Sequence, residues 1–277
     1  MRTFQCIVKK HFPQGASLGQ VLVKMTKFEI DILKLATLNG AVWIQVEGKG
    51  KIDKIRNIRE KIGAEDKIWL YLDQKVLELP AFEDPLLIEE NEYYGVWWKP
   101  AGILSQGTQT GDHRSLLRAI EIAKNKQIYL VHRLDRETAG IMLFAYSSEG
   151  ARELSALMGT PRIKKIYQAI AVGDAHQVLT DETGVIETPV DGKFAKTFYK
   201  IIRVENNLSY LELDIETGRL HQIRSHLAEV GLPVLGDPTY GKGNKNKDGL
   251  KLLAYKLSLQ DPWTLDRKSW LAPENLF

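Results

Sequence analysis

The stretch VHRLDRETAG at 131–140 sets a carboxylate, Asp135, beside Arg133, Arg136 and Glu137 and just ahead of the apolar run IMLFA at 141–145. Two readings are open. The segment is a solvated turn with satisfied salt bridges, or a buried strand anchors the turn so that Asp135 acts in a pocket as nucleophile or base. Tyr167 lies in KKIYQAIAVG at 164–173. On a strand it shares a face with Lys165 and Ala169, either as core packing or as a surface on which a nucleobase stacks. TGRLHQIRSH at 217–226 brings Arg219, His221 and Arg224 close in sequence. As a helix it puts His221 and Arg224 one turn apart on one face. That face is solvated, or its arginine grips a carboxylate or phosphate with both prongs of the guanidinium.

Other chemistries find less support. His221 and His226 are five apart, whereas zinc-binding helices pair histidines four apart, so no metal site is expected. YGKGNKNKDG at 240–249 matches neither phosphate-binding glycine pattern and precedes a strand; it reads as a flexible basic loop able to touch nucleic acid. There is no GxSxG elbow. The single cysteine, Cys6, cannot form an internal disulfide and is a poor nucleophile candidate.

The elements that must position these residues fall into two groups. Residues 1–10 read as a strand and 16–40 as one or two helices, with Ser17 as a first cap and Gly40 at the end. AVWIQV at 41–46 and KIWLYLD at 67–73 are strand-like. Between them, 48–61 carries Lys49, Lys51, Lys54, Arg56, Arg59 and Lys61 against only Asp53 and Glu60. Two prolines and net negative charge at 74–95 mark a boundary, giving a small αβ domain at 1–75, a linker at 76–92 and a second domain at 93–277. In the second, GVWWKPAG reads as a strand entering a turn. HRSLLRAIEIAKN reads as a helix with Leu116, Ile120 and Ala123 on one face. IMLFAYS, KIYQAIAVG, LSYLELDIETG and LLAYKLSLQDP read as strands, Leu211, Leu213 and Ile215 sharing a side. GRLHQIRSHLAEVG reads as an amphipathic helix with an apolar stripe of Leu220, Ile223, Leu227 and Val230, closed by Gly231. Strands and helices do not alternate regularly, so an α+β fold with a mixed or antiparallel sheet is expected.

Composition sets outer bounds. The 277 residues suffice for one large or two smaller domains. With 44% apolar and 26% charged residues, the chain is ordinary for a soluble protein. A net charge of +3 permits a polyanionic partner without demanding one. The N-terminus lacks the apolar core of a signal peptide, and no run is long enough to span a bilayer. A cytoplasmic protein without membrane contact is expected.

Taken in order, four stretches resemble the motifs of the RluA-type pseudouridine synthases. GVWWKPAGILSQG at 95–107 resembles the first, HRLDRETAGIMLFA the central one, KKIYQAIAVG the segment with the active-site tyrosine, and TGRLHQIRSHLAEVGLPVLGDPTYG at 217–241 the long third motif. The resemblance implies isomerisation of uridine in ribosomal or transfer RNA. Asp135 would be the essential carboxylate, Tyr167 would stack on the uracil, and Arg224 would hold Asp135 in its charged form. It implies substrate contacts from His132, Arg133, Lys165, Arg219, His221 and Gln222, no cofactor, and a monomer with RNA as partner. A binding protein that has lost catalysis and a nucleoside hydrolase are the competing readings. Ala139, Leu253 and Asp261 depart from the family pattern, which usually has serine, histidine and histidine there. The N-terminal unit resembles, with a longer and more basic loop, the small RNA-binding module of the ribosomal protein S-four type. Its six basic residues at 49–61 would then line RNA phosphates.

Overall fold

The computed structural model describes residues 2–7, 15–241 and 243–277. The Cys6 side chain, Lys242 and the end of the strand expected at 1–10 lie outside what is described. Contacts group the chain into two units. One holds Met1–Glu83 with Gln106–Ile122, the other Asp84–Ser105 with Ala123–Phe277. The break after Glu83 falls inside the expected linker. The inclusion of 106–122 in the first unit is not legible from local sequence, because that segment interrupts a motif of the second.

The first unit begins with β1 (Arg2–Ile7), α1 (Leu18–Thr26) and α2 (Ile30–Leu38), followed by β2 (Val42–Gln45), β3 (Asp53–Lys54), β4 (Lys67–Leu72) and the short α3 (Gln74–Leu77). Ser17 starts α1 with a full capping box, its hydroxyl accepting from the Gln20 N–H while the Gln20 side chain accepts from the Ser17 N–H. The strands form an antiparallel sheet in the order β1-β4-β2-β3. Leu18, Val21, Leu22 and Leu33 from the helices bury against Val42, Ile68 and Leu70 of the sheet.

The second unit opens with β5 (Leu87–Glu90) and β6 (Tyr94–Lys99). Helix α4 (Leu116–Lys124) then runs out of the first unit. It buries Leu116, Ala119 and Ile120, while Ala123 is exposed, so its inner face is rotated from the one the sequence predicts. There follow β7 (Tyr129–Leu130), β8 (Ala139–Ala145), α5 (Ser148–Ser155), β9 (Ile163–Val172), α6 (Ala175–Val178), β10 (Thr183–Ile186), β11 (Thr197–Glu205), β12 (Leu208–Ile215), α7 (Gln222–Glu229), β13 (Leu252–Gln260) and β14 (Arg267–Leu271). The ten strands make one mixed sheet with the path β10-β11-β12-β9-β13-β8-β6-β5. The α+β class with a mixed sheet is as expected.

Central strands bury both faces, as β6 and β8 do almost throughout. The pairing of β8 with β13 is parallel, through Leu253↔Ala139 and Ala254↔Gly140. Gly140 has φ 145°, and a Cβ there would lie 2.3 Å from the Ala254 Cβ. Glycine is therefore required where the two strands first meet. Two of the three departures from the family pattern, Ala139 and Leu253, are register partners here, so an apolar pair stands where a polar pair is usual. The third, Asp261, is buried. It accepts from the Tyr94 hydroxyl at 2.7 Å and from the Trp263 and Thr264 N–H groups, capping the turn into β14.

The largest departure from expectation is at α7. Its helix begins at Gln222, and His221 ahead of it is left-handed, with φ 55°. Arg219 and Leu220 are therefore not helical, and Leu220 is 56% exposed rather than part of an apolar stripe. The cause is the Gln222 side chain. Its carbonyl accepts from the Thr217 hydroxyl at 2.7 Å and the Arg219 N–H at 3.0 Å, which holds 217–221 in a turn.

Candidate active site

Asp135 sits in the turn before β8, where the Thr138 N–H donates to the Asp135 carbonyl at 3.2 Å. The KPAGILS segment fixes this turn. Ser105 exchanges two hydrogen bonds with the Leu134 backbone, at 2.6 and 2.9 Å. The Gly102 N–H donates to the Arg136 carbonyl at 2.7 Å. Lys99 is fully buried, and its ammonium donates to the carbonyls of Pro100, Ile103 and Arg136 at 3.1, 2.7 and 3.2 Å. Burial pulls this amine down to about 7, with Glu137 and Asp135 acting in the opposite direction. The three carbonyls favour the ammonium further, since a neutral amine has only two hydrogens to give. The two sides of Asp135 are thus clamped by backbone hydrogen bonds, and its side chain remains 18% exposed.

One carboxylate oxygen of Asp135 accepts from Arg224 Nη1 at 3.1 Å, and His221 Nε2 lies 3.8 Å from the same oxygen. Arg224 is 1% exposed. Its two-pronged contact goes elsewhere: Nε and Nη2 donate to Asp237 at 2.7 and 2.8 Å, and Nη2 also reaches the Thr239 hydroxyl at 3.1 Å. Asp237 in turn accepts from the Thr239 and Tyr240 N–H groups. The expectation of a bidentate Arg224–Asp135 pair is corrected accordingly. Burial works against charge on Arg224, but Asp237 and then Asp135 outweigh it and its titration point is raised. Burial likewise opposes charge on Asp237, and the Arg224 guanidinium with the two N–H groups holds its carboxyl below the usual range. Sequence reasoning assigned no role to Asp237, Thr239 or Tyr240, although GDPTYG lies within the third motif. The available signal was physical: a fully buried arginine with one carboxylate partner leaves most of its five N–H donors without acceptors.

Tyr167, in the middle of β9 between Leu213 of β12 and Ala254 of β13, faces the same cavity as Asp135. Burial, and secondarily the Asp135 charge, push its phenol upward, so it is neutral at physiological pH. The cavity measures about 780 Å³ and is lined by His132, Arg133 and Lys165 as well. That volume lies within the usual range of small-molecule sites.

The remaining expected contacts divide. Lys165 faces the cavity, its amine lowered by burial and partly restored by Asp214. Arg133 is exposed at the rim. His132 accepts from the Leu143 N–H at 3.0 Å, and burial, then the Lys165 charge, lower it to about 3, so a neutral ring braces β8. Gln222 is 3% exposed with its amide fully engaged: its carbonyl in the turn above, its NH2 donating to the Lys196 carbonyl and the Thr197 hydroxyl, each at 3.0 Å. Its polar atoms are thereby engaged within the protein. Arg219 donates its Nε to the Phe194 carbonyl at 2.9 Å.

In the first unit, the expected row of phosphate contacts is split. Arg56 grips Asp112 through both terminal nitrogens, and Lys54 donates to Asp112 at 3.0 Å and to the Thr108 carbonyl at 3.1 Å. Lys54 also sits 4.8 Å from the centre of the Trp43 ring. These two cations are engaged within the unit. Lys49, Lys51, Arg59 and Lys61 are exposed, and Lys51 pairs with Asp53 at 2.7 Å.

No helix among the described residues is long and apolar enough to cross a membrane. An RNA pseudouridylate synthase domain is matched over residues 93–229. An uncharacterized RNA pseudouridine synthase of Chloroflexus aurantiacus is 38% identical over 126 residues, 40% of this chain and 38% of that one. Ribosomal large subunit pseudouridine synthase D of Pseudomonas aeruginosa is 31% identical over 172 residues, covering 56% and 53%. The enzyme of the same name from Neisseria meningitidis serogroup A is 28% identical over 295 residues, covering 94% and 76%. The matches thus span about two-fifths and half the length of the first two relatives. Among solved structures, human RNA pseudouridylate synthase domain containing 4 shares the fold with a TM-score of 0.54 at 24% identity, covering 68% of this chain and 87% of that one. The motifs, the fold and these matches agree on the RNA pseudouridine synthases of the RluA type as the family this chain resembles.

Proposed function

We propose that the protein isomerises uridine to pseudouridine in RNA, that the RNA is that of the large ribosomal subunit, and that Asp135 carries the chemistry. The observation behind this reading is the Asp135 carboxylate itself. It is held at one oxygen by a buried arginine that Asp237 already neutralises, and it opens onto a cavity walled by Tyr167. Such a carboxylate has a cationic neighbour without being consumed by it. It can attack the sugar carbon or remove a sugar proton as the C–N glycosidic bond breaks. The uracil then turns, its C5 bonds to the same sugar carbon, and the C5 proton leaves. Nothing is consumed. Tyr167 offers a flat, neutral surface for the turning base, and its raised titration point suits stacking rather than proton removal. A paired uridine must first flip out of its helix, at a cost of roughly a few kcal/mol.

The ribosomal substrate is supported by the names of the Pseudomonas and Neisseria relatives. The first unit, with two helices on an antiparallel sheet and Lys49, Arg59 and Lys61 exposed, fits an RNA-binding module of the S-four type. Mapping pseudouridine in total RNA with and without the gene tests the whole reading. Loss of one or more large-subunit sites supports it, and an unchanged map refutes it. Release of free uracil from RNA would point instead to a hydrolase.

A further inference from the structure

The Asp135 cavity holds a charged side chain, Lys165, without a partner. Lys165 is half-buried and lines the cavity from β9, two residues before Tyr167. It makes no hydrogen bond or ion pair with any described residue. Its neighbour Lys164 takes Asp214, at 3.2 Å. Burial works against charge on Lys165, and Asp214 acts in the other direction. Two other lysines lowered by burial are built differently. Lys54 has the Asp112 carboxylate and the Thr108 carbonyl, and Lys99 has three carbonyls. A cation that has lost water without gaining acceptors is destabilising. In a cavity beside a candidate catalytic carboxylate, such a group marks a place that a bound molecule completes.

We infer that Lys165 is a catalytic residue that donates a hydrogen bond to a carbonyl oxygen of the uracil while the base is detached from its sugar. The inference rests on the proposed RNA-modifying reading. Alternate side chains of a strand project to one side, so Lys165 and Tyr167 stand next to each other, roughly 6–7 Å apart along β9. The Asp135 charge acts on the Tyr167 phenol and not on the Lys165 amine, so Tyr167 is the nearer of the two to the carboxylate. A uracil lying on Tyr167 with its sugar carbon at Asp135 turns a carbonyl edge toward Lys165. The chemistry calls for a cation there. Whether Asp135 attacks the sugar carbon or removes a sugar proton, the C1′–N1 bond breaks with its electron pair going to the uracil. The charge spreads from N1 onto O2 and O4. C5 then returns an electron pair to the sugar carbon, and the C5 proton leaves. Lys165 gives up no proton in this sequence; it holds the negative charge until the new bond forms. A donor fixed where charge develops, in a site shielded from water, is worth more than the same donor in water. Arg224 is not free for this task, because its donors are committed to Asp237, Thr239 and Asp135.

The test compares the full-length protein with Lys165→Met and Lys165→Arg on total RNA from cells lacking the gene. Pseudouridine formation is measured across RNA concentrations, and thermal melting of each variant is recorded. Lys165→Met should slow conversion at saturating RNA roughly 10²–10³-fold, the effect of removing one donor to a developing oxyanion. The half-saturating RNA concentration should stay close to that of the wild type. Melting should be unchanged or higher, because methionine fills similar space without a charge to desolvate. Lys165→Arg keeps the charge and should be faster than the methionine variant. If the methionine variant turns over like the wild type, the inference falls while the proposed function stands. The same holds if half-saturation rises and the saturating rate is kept, which marks a phosphate ligand. A lower melting temperature accompanying the lost rate, or an arginine variant no faster than the methionine one, marks a structural role and also overturns it. If the wild type makes no pseudouridine in this RNA, the proposed function falls first, and the inference with it.

Discussion

Each unit buries a carboxylate against cations, and the two clusters are built with opposite stoichiometry. In the first unit one carboxylate, Asp112, serves two cations, Lys54 and Arg56. Burial opposes charge on Asp112, yet its partners hold it low, while burial lowers Lys54. In the second unit one guanidinium, Arg224, serves two carboxylates, Asp237 and Asp135. The first arrangement saturates its anion, with three N–H donors and an 8% exposed residue. The second saturates its cation and leaves one anion with a single charged donor, facing a cavity. A closed cluster ties chain segments together. An open one leaves a carboxylate oxygen facing a cavity. The same residue types yield structure in one place and a candidate catalyst in the other.

Asp135→Asn should break the open cluster at its working end. The amide cannot act as anionic nucleophile or base, so the loss of rate in tritium release from uridine-labelled RNA should exceed the ~10²–10⁴ of a single proton-transfer group. Arg224 keeps Asp237, so the urea midpoint should move little. Near-normal activity would remove Asp135 from the chemistry.

Asp237→Ala attacks the closed end of the same cluster. It leaves a buried guanidinium with one acceptor carboxylate, a loss of about 3–5 kcal/mol by urea unfolding. Activity should fall too, as Arg224 shifts toward Asp135. A variant as stable as wild type would show that Asp135 alone suffices to hold the arginine. The pH dependence follows from the direction of the Asp237 shift. Its folded-state carboxyl is held below the ordinary 3.8, so its contribution is present above that value and disappears as pH falls through the lower one. The stability gap between wild type and Asp237→Asn should therefore be constant near neutrality and close only in the acid range below the ordinary value.

Asp112→Asn should cost less, about 1–3 kcal/mol, because Lys54 and Arg56 retain carbonyl acceptors at Thr108 and Leu38. Pseudouridine formation at saturating RNA should be unaffected. A fall in that rate would mean the closed cluster also serves catalysis.

The smallest effect separates exposed from engaged cations. Reversing Arg59 and Lys61 to glutamate should make log affinity for single-stranded RNA less steep against log salt, by ~0.7 for each phosphate no longer neutralised. Lys54→Ala should instead lower the melting temperature. Equal slopes for wild type and the reversed variant would take this face out of the RNA interface.

Much of this was determined by sequence alone. Ser17 and Gln20 announce the first helix because a capping box is a local hydrogen-bond pattern. The alternation in LSYLELDI fixes which side of β12 is buried, since strand side chains point to opposite faces in turn. Asp135, Tyr167 and Arg224 were recognisable from motif residues. Tertiary structure decided who holds whom. Arg224 reaches Asp135 across 89 positions of chain and Arg56 reaches Asp112 across 56. Charge runs such as 48–61 do not record which of their members are consumed by a distant carboxylate. Nor does helical periodicity register that the Gln222 side chain commits its hydrogen bonds to a preceding turn, delays α7 and leaves Leu220 in solvent. Local patterns encode backbone preference and facing. The pairing of buried charges depends on desolvation and on donors and acceptors brought together only when the sheet closes around them.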